Sequence, residues 1–429
     1  MTTGVTHVVG AGLAGLSAAI RLAEGGARVA LYEAAKAAGG RCRSYFDSAL
    51  GLTIDNGNHL LLSGNRAAMD YVRLVGGTGA LEGPDEAAFD FADLGSGERW
   101  RLRPNEGRLP WWLFAPSRRV PGTSARDYLA PLAILRARPD ATIGETMACE
   151  GRLWERLWHP VLLAALNTEP AIAAASLAAP VLRETFGAGG RACHPRVATG
   201  GLSAAFVDPA LAYLHLRGVE LRFNARLRSI AFAGDKVEGL AFGDEVVPIG
   251  AADSVILAVP PGIAVGVLPS MRGPTEFRGI LNAHFRTLPP KGQPLLLGIV
   301  GGLSEWLFAY PDRLSVTISA GDRLFDTPRE DLARRIWSEV ARLTGLPCES
   351  LPAWQVVKER RATFAAIPAE NAKRPLAVTA YQNLVLAGDW TDTGLPATIE
   401  GAIRSGEMAA SLLQRCNGTP CRRVPKVPL

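Results

Sequence analysis

The sequence predicts an α/β protein: a doubly wound, Rossmann-like nucleotide-binding domain into which a second, mixed α+β domain is inserted. Three observations predict it. Residues 6–32 run strand, glycine-rich turn, helix, strand, the order of a βαβ unit. Two more short apolar strands, at 253–261 and 383–388, lie far downstream and suit the same sheet. The chain has 429 residues, too many for one small core, so two domains are expected.

The first unit opens on HVVGAGLAG, residues 7–15. Residues 6–9 read as a short buried strand. Residues 13–23 read as a helix, with Leu13, Leu16, Ala19, Ile20 and Ala23 on one face. Residues 27–32, ARVALY, read as a second buried strand that Glu33 ends. The glycines differ in what they permit. Gly10 allows the tight turn, Gly12 lets backbone approach a pyrophosphate, and Gly15 lets the helix pack on the strand. The stretch Gly10, Ala11, Gly12, Leu13, Ala14, Gly15 thus offers amides and the positive end of a helix to phosphates. Glu33, 18 residues after Gly15 and followed by Ala34, is placed to accept from ribose hydroxyls and disfavours an added phosphate there. The motif alone fits NAD or FAD. Gly39, Gly40 and Arg41 follow, two glycines for close backbone passage and a planar cationic fork for phosphate. Next comes Asp55-Asn56-Gly57-Asn58-His59.

Further on, Gly200 and Gly201 precede a helix to about Leu216, and residues 218–242 read as strands turning at Gly234-Asp235. Residues 253–261, DSVILAVPP, form a strand that two prolines end. Residues 384–388, LVLAG, are a buried strand followed by Asp389, and Pro396 introduces a helix with Ile399, Ala402 and Ile403 on one face.

These residues resemble the flavin amine oxidase and phytoene desaturase superfamily. There a G-G-R segment follows the ribose acid and a D-x-G segment passes beside the flavin ring. The resemblance implies an amine-oxidase-like fold and bound FAD. It places Asn56, Gly57, Asn58 and His59 at the flavin, and Ala258 on the strand returning under the cofactor. Leu227, with Ile230, would touch the adenine through its backbone, or simply pack a core. Gly388 and Asp389 would bond the ribityl or phosphate region. Pro396, Ala397, Thr398 and Ile399 would aim a helix N-terminus at the pyrimidine edge, where its dipole favours a reduced, anionic flavin. No cysteine lies near this last segment, so the FAD is expected to be non-covalent.

DNGNHLLLSGN (55–65), AALNTEP (164–170), LAVPP (257–261), TFAAIP (363–368) and GDWTDTGLPATIEGAIRSG (388–406) together resemble one family, the hydroxysqualene dehydroxylases. That resemblance implies reductive removal of the hydroxyl of hydroxysqualene to give squalene, in hopanoid-type isoprenoid metabolism. A long, dry, apolar pocket would protect an allylic cation that takes hydride from reduced flavin. A proton donor is needed at the leaving hydroxyl. His59 is the first candidate, with Asp392 and Glu400 as others unless they cap the C-terminal helix. The alternatives are a carotenoid desaturase, a flavin amine oxidase with Trp390 as one wall of an aromatic cage, and a prenyl-binding escort protein on the same fold.

The cofactor domain would be assembled from 1–80, 196–265 and 376–429, and the substrate domain from 81–195 and 266–375. In the latter, RLPWWLFAPSRR (108–119) sets aromatics among arginines and reads either as a membrane anchor or as a cap over the cavity. His159, before Pro160, reads as structural. Residues 295–319 read as strands whose apolar side chains line a cavity, and 329–344 as an amphipathic helix packing on Leu332, Ile336 and Val340.

Hydrophobic residues at 48% and charged residues at 20% describe a globular chain. The net charge of +5 comes with no dense Lys/Arg block, which argues against nucleic acid and suits an anionic membrane surface. Six cysteines, at 42, 149, 193, 348, 416 and 421, form no CxxC pair and no metal pattern; they are expected to be reduced thiols in the cytoplasm. The N-terminus reads as a strand rather than a signal peptide, and no apolar run is long enough to span a bilayer. A peripheral site on the inner face of the plasma membrane is therefore expected, with a long isoprenoid substrate and squalene-pathway enzymes as partners.

Overall fold

Apolar runs far apart in the chain meet in one parallel sheet. The computed structural model describes residues 4–415. Its five-stranded sheet has the order Glu220–Arg222, Arg28–Tyr32, Val5–Val9, Ser254–Leu257, Leu384–Leu386, every neighbour parallel. Val9 lies opposite both Tyr32 and Leu257, so the strand ends that face the glycine turn are in register. Helices Leu13–Glu24 and Ile399–Arg415 lie on one face, and the antiparallel strands Leu227–Ala233, Lys236–Phe242 and Glu245–Pro248 cover the other, so both faces are buried. That is why VTHVV, RVALY and SVIL are continuous apolar runs rather than alternating ones. The first helix, Leu13–Glu24, and the last, Ile399–Arg415, pack together with almost nothing between them. A Cβ at Gly406 would lie 2.1 Å from the Ala14 carbonyl oxygen. Ser17 Oγ donates to Ile403 O at 3.0 Å, and Arg21 pairs with Glu407 at 2.6 Å.

The predicted elements are present with their ends shifted. The first strand starts at Val5, the first helix ends at Glu24 and the second strand starts at Arg28. The helix expected up to Leu216 is regular over Asp208–Leu216. The last helix starts at Ile399, three residues after Pro396. The C-terminal residues beyond 415, including Cys416 and Cys421, lie outside the described residues. Cys42, Cys149, Cys193 and Cys348 are free thiols.

The second sheet has seven strands in the order Trp354–Phe364, Phe277–Phe285, Arg313–Ile318, Trp306–Tyr310, Leu296–Val300, Phe89–Asp93, Arg99–Leu102. One face packs Leu281, Ala283, Phe285, Val316 and Ile318 against the helix Arg329–Thr344, through Leu332, Ile336 and Val340 as the sequence pattern predicts. The other face corrects the expectation of an apolar lining from 295–319. Cross-strand pairs Asn282 with Thr317 and His284 with Ser315 put polar side chains there, next to Tyr310 and Arg313. The apolar part of this face is Leu296, Trp306 and Phe308. These share a core with Trp112, Trp154, Trp158 and Leu162 from the segments that follow residue 110.

His284 is fully buried; its Nδ1 is 2.8 Å from Ser315 Oγ and its Nε2 has no partner. Burial, aided by Arg313, lowers its pKa from 6.5 to about 3. A depressed imidazole is neutral in the fold but takes a proton when unfolded, so stability falls as pH drops from 6.5 towards 3. We expect His284→Gln to flatten this arm of the stability curve, by up to about 1.4 kcal/mol per pH unit. Denaturant melts between pH 4 and pH 7 read the difference, and parallel curves for the two proteins would contradict it.

Candidate functional site

The glycine turn is built by contacts that only glycine allows, except on one side. Gly10 has φ 106°, and a Cβ there would meet Ala258 O at 2.4 Å. At Gly15 a Cβ would sit 1.8 Å from Gly10 O. At Gly12 it would meet nothing within 4 Å. Two of the three glycines are thus closed by the chain itself. The third faces open space at the N-terminus of a helix, where a pyrophosphate fits. Leu13 and Ala14 bury their side chains, so residues 11–14 can serve a ligand only through backbone. Gly39 (φ 103°) donates its amide to Ala11 O at 2.8 Å, which seats the Gly39-Gly40-Arg41 turn on the glycine loop.

Glu33 has a second role that its place in the sequence does not reveal. Its carboxylate accepts from Ala11 N and Ala35 N, both at 2.8 Å, and so braces the loop. Each oxygen keeps a further lone pair for a ribose hydroxyl. Ala34, next to it, is exposed. The Glu33 carbonyl takes Ala225 N at 2.8 Å, which brings the strand beginning at buried Leu227 beside this segment.

Arg41 and Asp389, expected to hold phosphate and ribityl groups separately, are brought together. Arg41 Nη2 is 2.6 Å from Asp389 Oδ1, and its Nη1 donates to Ala362 O. Both terminal nitrogens of the guanidinium fork are therefore engaged by the protein, a correction to the free phosphate fork expected. The negative charge of Asp389 raises the Arg41 pKa, and the side chain remains 47% accessible. The Asp389 turn is anchored from below. Arg374 donates to the carbonyls of Asp389 and Thr391, and Gly388 N donates to Ser405 Oγ at 2.7 Å. Trp390 is buried and gives its Nε1–H to Val259 O at 2.9 Å, so it is a packing residue and no cage wall.

The C-terminal helix is capped by Thr398, whose Oγ1 accepts from Gly401 N at 3.0 Å. Pro396 is buried just before it, and Ala397 and Ile399 are partly buried. Asp392 is exposed and does not cap this helix. Glu400 reaches away, accepting from Ala67 N at 3.1 Å and Ala68 N at 2.9 Å at the start of the helix Arg66–Val75. Arg404 pairs with it at 2.7 Å. A carboxylate committed to two amides and a guanidinium is no proton donor, which removes Glu400 from the candidates.

The Asp55–His59 loop ties the strand Ser44–Asp47 and the segment at Leu202 to the seven-stranded sheet. Asp55 accepts from Ser44 Oγ at 2.6 Å and Leu202 N at 2.8 Å. Asn56 Nδ2 donates to Glu359 at 3.1 Å. Asn58 is tied into the polar face of the seven-stranded sheet: Nδ2 donates to Thr317 Oγ1 at 3.0 Å, and Oδ1 accepts from Tyr310 at 3.2 Å. Its side chain thus holds the loop in place. Asn282 Oδ1 accepts from Asn58 N at 3.2 Å, while Asn282 Nδ2 is buried without a partner, 3.2 Å from where a Cβ on Gly57 would stand. A buried amide donor left without a partner beside Gly57 fits a site for a bound group. The sequence reading does not contain this network, although the alternation in RLSVTIS (313–319) carries its signal.

His59 Nδ1 lies 2.9 Å from the Gly57 carbonyl, which can only accept. The neutral ring therefore carries its proton on Nδ1 and leaves Nε2 as an acceptor. Burial lowers the pKa of this imidazole. The acid role expected of His59 thus requires the doubly protonated ring, which burial disfavours at neutral pH. His159, expected to be structural, pairs with Glu169 at 3.1 Å, partly exposed. Burial lifts Glu305 to about 7, but its partners are Ser319 and Arg323, outside the loop cluster.

The description "flavin containing amine oxidoreductase" fits residues 13–414, nearly the whole chain. Hydroxysqualene dehydroxylase of Rhodopseudomonas palustris is 56% identical over 95% of this chain and 97% of its own length. That of Sinorhizobium fredii is 53% identical over the same shares. The chain belongs to the hydroxysqualene dehydroxylase family of flavin-containing amine oxidoreductases. Cyclohexylamine oxidase of Brevibacterium oxydans shares the fold, with a TM-score of 0.67 at 18% identity, over 96% of this chain and 99% of that one. The protein is therefore a flavin-dependent oxidoreductase, and the open glycine and braced loops described above suit that cofactor. Among the described residues no cluster of His, Cys, Asp and Glu could hold a metal ion.

Gly12 and Gly15 give opposite expectations. Gly12→Val should leave the apoprotein's melting temperature within a few degrees of the parent and abolish flavin uptake, because only ligand space is filled. Gly15→Ala should destabilise the fold itself, by about 1–3 kcal/mol or more. Melting curves with and without added flavin separate the two. Flavin binding by the Gly12→Val protein would refute the placement.

Proposed function

We propose that this chain binds FAD non-covalently and removes the hydroxyl of hydroxysqualene reductively, giving squalene and water. The observation that carries the reading is the cradle drawn from Gly10–Gly15, Gly39–Arg41 and Asp389, in a chain 56% identical over 95% of its length to a protein of that name. Reduced FAD would supply the hydride that replaces the hydroxyl. The chain's own residues bind, orient and exclude water. Gly12 leaves room for the pyrophosphate, and Glu33 offers lone pairs to the adenosine ribose. The N-terminus of the last helix, capped by Thr398, offers positive potential. The apolar segment around Trp158, Leu162, Trp306 and Phe308 keeps water from an allylic cation. Non-covalent binding is supported at Cys42, the described cysteine beside the Gly39-Gly40-Arg41 turn: burial raises its pKa, holding the thiol protonated and poorly nucleophilic. The buried, hydrogen-bonded Trp390 gives no support to an aromatic amine cage, and the open face at Gly12 favours a cofactor enzyme over a prenyl-escort role.

For the proton, His59 is the group that the chain offers beside the Gly57 loop, in its doubly protonated form. Because its pKa is lowered, that form grows as pH falls below the ordinary imidazole value of 6.5. Turnover should therefore rise toward acid. His59→Gln should keep its FAD and lose most turnover along with this pH dependence. An unchanged pH profile in the variant would discard His59 as the donor.

The reaction itself is tested anaerobically. Photoreduced protein mixed with hydroxysqualene should reoxidise its flavin and release one squalene per flavin. Reoxidation only with a different acceptor, or an oxidised protein that instead desaturates phytoene, would contradict the proposal.

A further inference from the structure

Residues 109–136 have two faces with different surroundings. Inward, Trp112, Leu113, Val120, Tyr128 and Ile134 are buried in the core shared with Trp306 and Phe308. Trp112 meets Tyr128 edge-on at 5.2 Å, and Tyr128 Oη accepts from Val120 N at 2.9 Å, so two short helical turns pack side by side. Outward, Leu109 is 82% exposed, Phe114 79%, Trp111 54%, Leu129 54% and Leu132 52%. A third of the large hydrophobic side chains exposed among the described residues fall in this stretch of two dozen residues. Scattered exposed apolar residues need no explanation, whereas a cluster of this kind marks a contact surface.

The charge around the cluster identifies the partner. Between residues 106 and 140 the chain carries six arginines and three carboxylates. Two of the carboxylates are already paired, Glu106 with His194 and Asp140 with Arg138. The Arg118 guanidinium lies 4.8 Å above the Trp111 ring, at the boundary where the apolar surface meets solvent. Aromatic side chains at a polar boundary with arginines beside them match the chemistry of a bilayer interface carrying negative headgroups. We propose that this face docks on an anionic lipid bilayer. The inward face of the same turns roofs the apolar core. Membrane anchor and cavity cap, alternatives in the sequence, are thus two sides of one element. A segment that lies in the interface above the core would let a water-insoluble substrate enter without crossing water. That consequence, though not the docking, rests on the proposed substrate.

Holoenzyme without substrate is mixed with phosphatidylcholine vesicles, with and without phosphatidylglycerol, and sedimented. Binding should require the anionic lipid and weaken with salt. Trp111→Ser with Phe114→Ser, both exposed, should reduce vesicle binding at least about tenfold while leaving melting temperature unchanged. Trp112 is unsuitable for this test because it is buried. In the unmodified holoenzyme, brominated lipid should quench part of the tryptophan fluorescence, and Trp111→Phe should remove that part; this reading does not depend on the double variant folding. Equal vesicle binding by parent and variant, absence of quenching, or a dimer in solution that Trp111→Ser with Phe114→Ser dissociates would overturn the proposal. None of these readings uses turnover, so failure of the docking and failure of the assigned reaction are told apart.

Discussion

The structure depends on a helix contact in which no side chain separates the two backbones. The helix that follows the glycine turn meets the last helix of the chain where Gly406 lies against Ala14, so closely that any Cβ there would overlap a carbonyl oxygen. Packing of this kind has no slack: a larger residue must move a backbone, and overpacking of a core costs about 1–3 kcal/mol or more. The contact holds the N-terminal βαβ unit and the Leu384–Leu386 strand with its helix as neighbours, although nearly the whole chain separates them in sequence. Every part of the cofactor cradle inherits its position from this join.

The ion pair of Arg41 and Asp389 is the same join seen at the site. It spans 348 residues at 2.6 Å, but the arginine side chain is 47% accessible, so screening leaves it a small stabiliser. Its value is positional. It fixes the Gly39-Gly40-Arg41 turn against the Asp389 turn, and Arg374 and Ser405 fix the latter from behind. On the other side, Asn58 hangs the Asp55–His59 loop from Asn282, Thr317 and Tyr310 of the seven-stranded sheet. The loop is thus fixed by side chains of a sheet far from the glycine turns in sequence.

Much of the cofactor side is legible in the sequence because its constraints are local. Gly10, Gly12 and Gly15 must be glycine for reasons that a strand–turn–helix pattern already contains, and a continuous apolar strand can be read without knowing its neighbours. The supports behind the site are not legible, because their partners come from distant elements. Nothing near Glu400 says that it will cap the helix at Arg66, and nothing near Arg41 says that Asp389 will take half its fork. The amphipathic helix Arg329–Thr344 is readable from its period, whereas the polar half of the other face of the sheet is missed in an apolar reading of these strands. Hydrophobic residues dominate 295–319 by number, and the alternation of Arg313, Ser315 and Thr317 that faces the site is easily lost among them.

In the function proposed above, segments from both ends of the chain form one cradle for one FAD, held without a covalent bond. The most direct test is to denature the purified protein, separate the polypeptide and identify the flavin that remains in solution. One FAD released per chain is the predicted result. FMN, flavin that stays on the polypeptide, or a protein that neither carries nor takes up flavin would contradict it.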